Sequence, residues 1–299
     1  MKSVTVLLST YNGEKYLDEQ LESIVSQEGV STRIIARDDG STDNTLSILE
    51  QWKGKAYLSW YNGGNLGPAL SFMDLLKNAG GAQYYALSDQ DDYWLSDKLQ
   101  IAVNSLEKYN KRPALYFCQT ELVDKDLNRI DSVIIHPHLT FGEALVYHFV
   151  GGCTMVMNRA LRDIIIRYTP KYINMHDVWI YNVAQAIGAH VVFDNTPHIL
   201  YRQHGDNVIG QSTSVITEWK NRTGRLVKRE LHSRSKLAQE IHTGYYDMMP
   251  EENRRILDDF IAGKTHIKKR MQLMRDRRFR CSDTETYHNF RLAVLTNIY

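Results

Sequence analysis

The sequence predicts an α/β fold, in which helices flank a parallel central sheet and a helical region follows at the carboxyl end. Between residues 4 and 88, apolar β-branched segments alternate with segments of helical periodicity, as in strand–helix–strand units with right-handed crossovers. Beyond residue 214, Lys and Arg alternate with Leu and Ile at helical spacing, and Pro250 is the only proline. We therefore place an α/β domain at residues 1–213 and a basic helical region at residues 214–299.

The first third of the chain contains four predicted strands and three predicted helices. The strands are 4–8, 32–36, 56–61 and 84–87, and the helices are 14–27, 45–52 and 68–78. The first strand is apolar without polar alternation, which is typical of a strand buried on both faces. The segment Ser41-Thr42-Asp43-Asn44 supplies side chains that cap the second helix.

The elements continue less regularly as far as residue 201. Helices are predicted at 98–108 and 178–187, strands at 114–119, 191–193 and 199–201, and a polar loop at 124–138. An apolar run at 151–157 begins with Gly151 and Gly152. Paired glycines at this point indicate a close approach of the backbone to a ligand.

Three carboxylates follow the fourth strand within four residues, namely Asp89, Asp91 and Asp92. Like charges this close repel one another, and a divalent cation with oxygen ligands is the usual compensation. The alternative is a solvated acidic turn. Asp39 and Asn65 also follow predicted strands. Because parallel sheets bind ligands outside the carboxyl ends of their strands, we expect one crevice to collect these side chains.

The bulk composition favours a large globular chain in a reducing, cytoplasmic location. Of the 299 residues, 43% are hydrophobic, and no run approaches the roughly 18 apolar residues that span a bilayer. The apolar run at residues 4–8 is too short for a signal peptide. Three dispersed cysteines (Cys118, Cys153 and Cys281) indicate neither a disulfide framework nor a zinc site.

Charge is distributed unevenly along the chain, although the net charge is only +1. Residues 1–100 hold 8 Lys and Arg against 14 Asp and Glu, whereas residues 201–299 hold 19 against 12. The acidic front fits a metal site, and the basic tail fits contact with anions. We find no motif that reads nucleic acid, so nucleic acid is not an expected partner.

Six short segments stand out when the chain is read in order. They are Leu8-Ser9-Thr10-Tyr11-Asn12-Gly13, Asp38-Asp39-Gly40-Ser41-Thr42-Asp43, Asn65-Leu66-Gly67, Ser88-Asp89-Gln90-Asp91-Asp92, His176-Asp177-Val178-Trp179 and Tyr201-Arg202-Gln203-His204-Gly205-Asp206-Asn207. Together they resemble the family 2 glycosyltransferases, inverting enzymes with the GT-A nucleotide-sugar fold. The last two resemble the branch that contains bacterial rhamnosyltransferases of O-antigen and capsule assembly. The resemblance covers roughly residues 1–210 and implies a mostly parallel sheet flanked by helices.

The resemblance implies a binding site for a nucleoside diphosphate sugar. The residues expected around its base and ribose are Thr10, Tyr11, Glu14 and Asp39. Asn65 and Gly67 are expected to let the loop backbone pass close to the donor, and Arg202 and His204 to contact the diphosphate. The alternatives are a turn former for Asp39, a plain turn for Asn65 and Gly67, and an exposed loop for His204.

The resemblance also implies a divalent cation, Mg²⁺ or Mn²⁺, bound together with the donor diphosphate. Its ligands are expected among Asp89, Asp91, Asp92 and His204, with Asp89 also close to the donor. Such a cation acts as a Lewis acid for the leaving group. Trp94, just after the cluster, is expected to pack in the core.

An inverting transfer needs a general base on the face opposite the leaving diphosphate. The resemblance assigns this role to Asp177, for which a helix cap is the alternative. The family's usual pair is Glu-Asp, and His176 stands here in place of the Glu. The residues expected on the acceptor side are Gly151, Gly152, His176 and Trp179. Cys153 is given no nucleophilic role, because an inverting transfer needs none.

The function that the resemblance implies is sugar transfer in cell-surface polysaccharide assembly. The first expected donor is dTDP-rhamnose, with UDP-glucose or UDP-galactose as alternatives, and the acceptor is a saccharide or a polyprenyl-diphosphate-linked molecule. A nucleotidyltransferase and a non-catalytic nucleotide-sugar-binding protein stay open as other classes. The former normally carries a glycine- and lysine-rich phosphate loop, whereas Ser9 to Gly13 stands at that position here.

The tail has two basic stretches. Residues 217–236 hold 7 Lys and Arg against 2 acidic residues, and residues 264–280 hold 8 against 1. The apolar residues interleaved with the first stretch and its continuation to residue 241 are Trp219, Leu226, Leu231, Leu237 and Ile241. These segments are expected either to rest on the anionic inner face of the cell membrane or to be solvated faces of packed helices. Assembly as a homo-oligomer is left open.

Overall fold

The computed structural model describes residues 1–55, 57–130, 134–203 and 232–299. In these ranges the strands are β1 (Lys2–Thr10), β2 (Val30–Asp38), β3 (Leu58–Asn62), β4 (Tyr84–Ser88), β5 (Tyr93–Trp94), β6 (Ala114–Cys118), β7 (Glu121–Val123), β8 (Val156–Asn158), β9 (His190–Asp194) and β10 (Ile199–Arg202). The helices are α1 (Leu17–Val25), α2 (Thr45–Lys53), α3 (Pro68–Asn78), α4 (Lys98–Glu107), α5 (Phe141–Ala144), α6 (Arg159–Ile165), α7 (His176–Ala186), α8 (Ser233–Tyr245), α9 (Glu251–Thr265), α10 (Ile267–Leu273) and α11 (Thr284–Leu295). Short 3₁₀ turns lie at Gly152–Thr154, Tyr246–Met248 and Arg277–Phe279.

The central sheet has seven strands in the order β3-β2-β1-β4-β8-β6-β9. β1 runs parallel to β2 and β4, and β2 runs parallel to β3. β8 is antiparallel to both of its neighbours. The register pairs Thr10 with Asp38 and Leu8 with Ser88, so the carboxyl ends of β1, β2 and β4 lie at one edge of the sheet. The predicted mostly parallel sheet is confirmed, and the first crevice-forming loops follow these strand ends.

A second sheet of three strands, β5-β10-β7, lies beyond the acidic cluster. β10 is antiparallel to β5, with Ile199 opposite Trp94, and parallel to β7. This pairing carries Arg202, at the end of β10, to the acidic residues that precede β5. Trp94 is 1% exposed, which confirms the prediction that it packs in the core.

The hydrophobic core has two layers, one on each face of the central sheet. Val4, Val6 and Leu8 of β1 face the layer that contains α1, α2 and α4, whereas Leu7 faces the layer that contains α3, α6 and α7. All four side chains are buried, so β1 is the doubly buried strand that its sequence predicts.

Several element boundaries differ from the predictions for local reasons. α1 begins at Leu17 rather than at residue 14, because the Gly13 carbonyl first closes a turn by accepting the N–H groups of Tyr16 and Leu17. The N-cap of α2 is Asn44, and the carboxylate of the preceding Asp43 accepts from Thr45 N at 3.0 Å. Helices α5 and α6 were not predicted from the sequence. Each has a capping side chain that marks its start, Thr140 for α5 and Asn158 for α6.

The helices from α8 onward confirm an appended helical region, and they share the core of the α/β layers. Tyr245 on α8 donates its hydroxyl to the Ile165 carbonyl at 2.8 Å, and Arg234 Nε donates to the Val146 carbonyl at 3.0 Å. A Cβ on Gly142 would lie 2.0 Å from the Arg278 carbonyl oxygen, so only glycine at this position of α5 allows the backbone at Arg278 to pack against the helix. The predicted boundary at residues 213 and 214 lies outside the described residues. No helix in the described ranges is long and apolar enough to cross a bilayer.

Candidate active site

The first wall of the crevice is the turn that follows β2. The Thr10 hydroxyl donates to Asp38 Oδ1 at 3.0 Å. The other oxygen of Asp38 accepts the N–H groups of Gly40 and Ser41 at 3.0 and 2.8 Å. Thr10 and Asp38 are buried, whereas the neighbouring Tyr11 side chain is 49% exposed. Thr10 and Tyr11 are both predicted donor contacts. In the structure Thr10 is buried and stabilises the turn through Asp38, whereas Tyr11 is exposed at the surface.

A buried arginine organises the loop that follows β3. Arg37 is 1% exposed, and its guanidinium hydrogen-bonds to the Asp39 carboxylate. Its Nη2 donates to the carbonyl oxygens of Gly63 and Gly64 at 2.6 and 3.0 Å, and its Nε donates to Asp74 at 3.1 Å. Because the buried Arg37 guanidinium donates to all of these acceptors, it fixes the loop after β3 in one conformation.

Asp39 completes this clamp from the other side of the loop. Its carboxylate accepts the backbone N–H groups of Leu66 and Gly67 at 2.9 and 2.7 Å. Gly67 has a φ of +76°, a conformation that glycine adopts without strain. The Asn65 side chain is exposed next to this turn. Asp39 is thus the turn-organising residue of the alternative prediction, and its contact with the nucleotide stays a prediction.

Two further side chains tie the loop after β1 to its neighbours. Glu14 Oε2 accepts from the backbone and side-chain nitrogens of Asn44 at 2.9 and 2.8 Å. Gln90, at the centre of the acidic cluster, accepts from Tyr11 N at 2.8 Å and donates to the Tyr11 carbonyl at 2.9 Å. The Gln90 amide therefore joins the predicted nucleotide loop to the predicted metal loop.

The acidic cluster is more deeply placed than a solvated turn would be. Burial, with Asp91 and Asp177 nearby, raises the pKa of Asp89 to about 8. Asp92 is 0% exposed, and burial raises its pKa well above the usual range of a carboxyl group. Its Oδ1 accepts from Arg202 N at 3.2 Å, and its buried Oδ2 has no hydrogen-bond partner among the described residues. These properties contradict the solvated-turn alternative for Asp92.

The donor atoms in the cluster fit a hard divalent cation. One ligand atom each from Asp89, Asp92 and Cys153 lies within 4.8 Å of the others. A hard cation prefers carboxylate oxygen to thiol sulfur, so Asp89 and Asp92 are the candidate ligands and Cys153 is their neighbour. A buried carboxylate oxygen without a partner, as in Asp92, is what an oxygen-binding cation such as Mg²⁺ or Mn²⁺ would satisfy. Asp91 is half-buried beside them, and His204 lies outside the described residues.

Arg202 requires a correction to the predicted diphosphate contact. Its side chain is 1% exposed, and its three kinds of nitrogen donate to protein oxygens. Nε donates to the Asp91 carbonyl at 2.9 Å, Nη1 to the Lys125 carbonyl at 2.5 Å, and Nη2 to the Glu19 carboxylate at 2.5 Å. The guanidinium also lies 4.3 Å above the Tyr16 ring. Arg202 is therefore a buried brace for the backbone of the acidic loop.

Asp177 lies in the first turn of α7, close to the acidic cluster. The helix begins at His176 with Met175 in the capping position, so Asp177 is not the N-cap. Its Oδ1 accepts from Val178 N at 2.7 Å, and its Oδ2 accepts from Gly152 N at 3.2 Å. Burial raises the pKa of Asp177 to about 6, a value suited to accepting a proton near neutral pH.

Two predicted acceptor contacts are placed differently by the structure. Trp179 is completely buried, with Tyr168 and Tyr245 around its ring. The reason is helical geometry, because residues two apart on a helix do not share a face and Asp177 occupies the face at the crevice. Trp179 is therefore a core residue.

His176 is also buried, and it explains the paired glycines. A Cβ on Gly152 would lie 2.2 Å from His176 Nε2, so the close approach predicted for a ligand is made by this imidazole. Burial lowers the pKa of His176 to about 3, and the ring is therefore neutral. Gly151 is half-buried at the start of the same turn.

Sequence reasoning gave no role to three residues that shape the site. Arg37 and Gln90 carry the loop contacts described above. Lys98 is completely buried at the start of α4, with its ammonium 3.5 Å from the centroid of the Trp94 ring. The available signal was a charge at the end of an apolar strand for Arg37, and a charge four residues after the aromatic core residue Trp94 for Lys98.

The architecture is shared with a solved protein that was crystallised with a nucleotide sugar. The structure of Staphylococcus aureus TarS residues 1–349 with UDP-GlcNAc superposes with a TM-score of 0.57 at 16% identity, covering 100% of this chain and 93% of that one. The fold is thus of the GT-A type, and the carboxylate-lined crevice lies at the carboxyl ends of its strands. Residues 5–165, more than half of the chain, match the family described as Glycosyl transferase family 2. The chain belongs to this family.

Two curated relatives carry more specific names. The chain is 29% identical over 242 residues to the dTDP-rhamnosyl transferase RfbG of Shigella flexneri, an alignment that covers 71% of this chain and 77% of RfbG. It is 25% identical over 209 residues to the UDP-Glc:alpha-D-GlcNAc-diphosphoundecaprenol beta-1,3-glucosyltransferase WfaP of Escherichia coli, covering 70% of this chain and 80% of WfaP. The predicted family and fold are confirmed.

Proposed function

We propose that this protein is a metal-dependent, inverting glycosyltransferase of cell-surface polysaccharide assembly. The observation that carries the proposal is the position of Asp177, a carboxyl group with a pKa of about 6 close enough to Asp89 to raise the pKa of that residue. A general base thus stands beside an acidic pair, the half-buried Asp89 and the buried Asp92, that fits a cation with a diphosphate. This arrangement is the minimum that an inverting transfer requires.

The donor occupies the crevice outside β1, β2 and β4. Tyr11, Glu14 and Asp39 line the base and ribose, with Thr10 supporting their turn from below. The loop with Asn65 and Gly67, held by Arg37 and Asp39, forms the adjoining wall. The donor we rank first is dTDP-rhamnose, because RfbG is named for it, and UDP-glucose or UDP-galactose is the alternative.

The diphosphate lies at the acidic loop. Asp89 and Asp92 would hold a divalent cation, Mg²⁺ or Mn²⁺. Asp91 would add negative charge beside them, and His204 is a further candidate ligand from the sequence. When bound, this cation supplies Lewis-acid stabilisation of the departing diphosphate. Arg202 keeps the loop in place through its contact with the Asp91 carbonyl.

Asp177 performs the proton transfer. The acceptor hydroxyl attacks the anomeric carbon on the face opposite the diphosphate, and its proton passes to the Asp177 carboxylate as the new glycosidic bond forms. The bond between the anomeric carbon and the diphosphate oxygen breaks, and its electron pair leaves with the nucleoside diphosphate. One in-line displacement inverts the anomeric configuration. The N–H groups of Gly152 and Val178 orient the carboxylate for this step.

The acceptor is a saccharide or a polyprenyl-diphosphate-linked saccharide, as in the name of WfaP. Such an acceptor requires access to a membrane surface. Leu237 and Ile241 are buried in the core, so these two residues belong to the packed-helix alternative. Exposed apolar side chains occur farther along, at Ile267, Leu292 and Leu295, and Lys268 is exposed beside Ile267. We place any membrane contact on α10 and α11.

A thermal-shift panel tests the proposal. The full chain is heated with dTDP-rhamnose, UDP-glucose or UDP-galactose, each with and without Mn²⁺. A donor held at 100 times its dissociation constant stabilises the fold by about 2.7 kcal/mol, so the true donor should raise Tm. Because the cation binds together with the diphosphate, this increase should appear only when Mn²⁺ is present. Absence of a shift with every nucleotide sugar, or a shift that chelation leaves unchanged, would contradict the donor and metal assignments.

A further inference from the structure

The strongest unexplained feature near the site is the buried imidazole of His176. It is 3% exposed, and neither ring nitrogen has a hydrogen-bond partner among the described residues. A neutral imidazole has one donor and one acceptor, and leaving both without partners is costly. The contacts that the structure gives this ring are packing contacts, with Phe72 and Gly152.

The shape of the ring is fixed on both sides. One face stacks on Phe72 of α3, with ring centroids 4.0 Å apart and an interplanar angle of 29°. The Nε2 edge abuts Gly152, where an added Cβ would lie only 2.2 Å from this nitrogen. Glycine is therefore the one residue that fits over the ring in its present position.

The segment that rests on His176 is the one that holds the base. Gly152 N donates to Asp177 Oδ2 at 3.2 Å, and the turn is closed by the Thr154 hydroxyl donating to the Gly151 carbonyl at 2.7 Å. Cys153, next in the chain, contributes to the group formed with Asp89 and Asp92. A shift of the Gly152 backbone would therefore move a hydrogen bond to the base directly, whereas Asp89 and Asp92 lie on a different segment, the loop after β4.

We propose that His176 is a positioning residue, a rigid support that sets the height of Gly152 and thereby the orientation of Asp177. The imidazole does not contact the acceptor. The ring packs between Phe72 and Gly152, and the close contact between this large ring and a glycine fixes the position of the Gly152 backbone. This inference rests on the proposed base role of Asp177.

The test exchanges size across the contact. In Gly152→Ala the new methyl group meets the imidazole, and we expect kcat to fall about 100-fold, as for a misplaced catalytic group, while the Mn²⁺-dependent affinity for dTDP stays unchanged. His176→Ala removes the ring that supports Gly152 without adding a clash, and we expect it to lower kcat by less than Gly152→Ala does. The double variant Gly152→Ala/His176→Ala has room for the methyl group, and we expect its kcat to recover about tenfold over Gly152→Ala.

A matched substitution controls for the fold. A Cβ on Gly151 would meet nothing closer than Cys153 Sγ at 3.8 Å, so Gly151→Ala should keep the wild-type Tm. If Gly152→Ala fails to fold, His176→Ala and the double variant still decide the matter through kcat and acceptor KM. His176→Ala with wild-type kcat, or with a raised acceptor KM and unchanged kcat, would overturn the inference. So would a double variant no faster than Gly152→Ala.

The proposed function fails in a different way. If the wild-type protein shows neither transfer nor donor hydrolysis with dTDP-rhamnose, UDP-glucose or UDP-galactose and Mn²⁺, the glycosyltransfer itself is contradicted. If the wild-type protein is active and only the size-exchange pattern is missing, the role of His176 is contradicted and Asp177 retains its own test.

Discussion

At the scale of single residues, burial sets the chemistry of this site more than charge pairing does. Burial is the largest influence on the pKa of Asp89, of Asp92 and of Asp177, and it raises all three. His176 responds in the opposite direction, because burial disfavours its charged form. The crevice therefore combines carboxyl groups that bind protons readily with an imidazole that does not bind one near neutral pH.

The raised pKa of Asp177 predicts a pH profile and a stability change. Because the base must be ionised, transfer should increase as pH rises through about 6 and then level off. Asp177→Asn should lower kcat by at least about 100-fold. The folded protein binds a proton on Asp177 more tightly than the unfolded chain does, so this group destabilises the fold increasingly as pH rises toward 6.

The same substitution therefore separates catalysis from folding. At pH 7.5, Asp177→Asn should have a Tm no lower than the wild type, measured by differential scanning calorimetry, although its activity is lost. If Asp177→Asn instead has a Tm well below that of the wild type and is unfolded at the assay temperature, its loss of activity comes from unfolding, which would contradict the base role.

At the scale of elements, buried side chains from distant parts of the chain shape the loops at the strand ends. Arg37 at the end of β2 holds the loop after β3, and Arg202 at the end of β10 holds the acidic loop after β4. Both guanidinium groups donate to backbone carbonyls, which fixes loop conformation rather than side-chain position. Two loops that form the donor crevice are thus each held by a buried arginine.

Removing the first brace should weaken donor binding. Arg37→Met leaves the carbonyls of Gly63 and Gly64 without their donors, and the loop loses its fixed conformation. Ordering the freed loop again on binding has a cost, and about 1.4 kcal/mol of it predicts about a tenfold loss of affinity for dTDP or UDP. Isothermal titration calorimetry measures this effect.

Arg33→Met is the matched control for that experiment, because Arg33 lies on the same strand with an exposed side chain. It should keep the wild-type affinity. Equal affinities for the two variants would show that the Arg37 clamp has no part in donor binding.

The strands and the crevice were predictable from the sequence because their signals are local. The apolar run of β1, the glycine-rich turns and the carboxylates at strand ends each lie within a few residues. The role of Arg202 was not predictable, because its partner Glu19 is 183 residues away along the chain. Trp179 was misplaced because its neighbour Asp177 marks a functional segment, and adjacency in sequence says nothing about which face of a helix a side chain occupies.

At the scale of the whole molecule, the carboxyl-terminal helices are part of the fold that supports the base. α7 carries Asp177 on one face and Trp179 on the other, and the Trp179 ring packs against Tyr245 of α8. The side chain of Glu143 on α5 accepts from Ser282 N at 2.8 Å, which fixes the tail at a second place. The helix with the proposed base is therefore held between the sheet and the tail.

The shared core predicts that the α/β layers and the tail unfold together. Trp179→Ala should lower the free energy of unfolding by about 3–5 kcal/mol, the usual range for a buried aromatic ring. Urea denaturation followed by circular dichroism and by fluorescence measures this loss. Tyr57→Ala, at a residue that is 86% exposed, is the control and should change stability by less than about 0.5 kcal/mol. Two separate transitions in the wild type would contradict a common core.

The central claim, an inverting transfer with Asp177 as base, is tested most directly by the anomeric configuration of the product. The full chain is incubated with Mn²⁺, a saccharide acceptor and a nucleotide sugar of known configuration, and the new linkage is assigned by NMR. We predict the inverted anomer, no product after chelation, and no product from Asp177→Asn. A product that retains the configuration of the donor, or wild-type transfer by Asp177→Asn, would contradict the account.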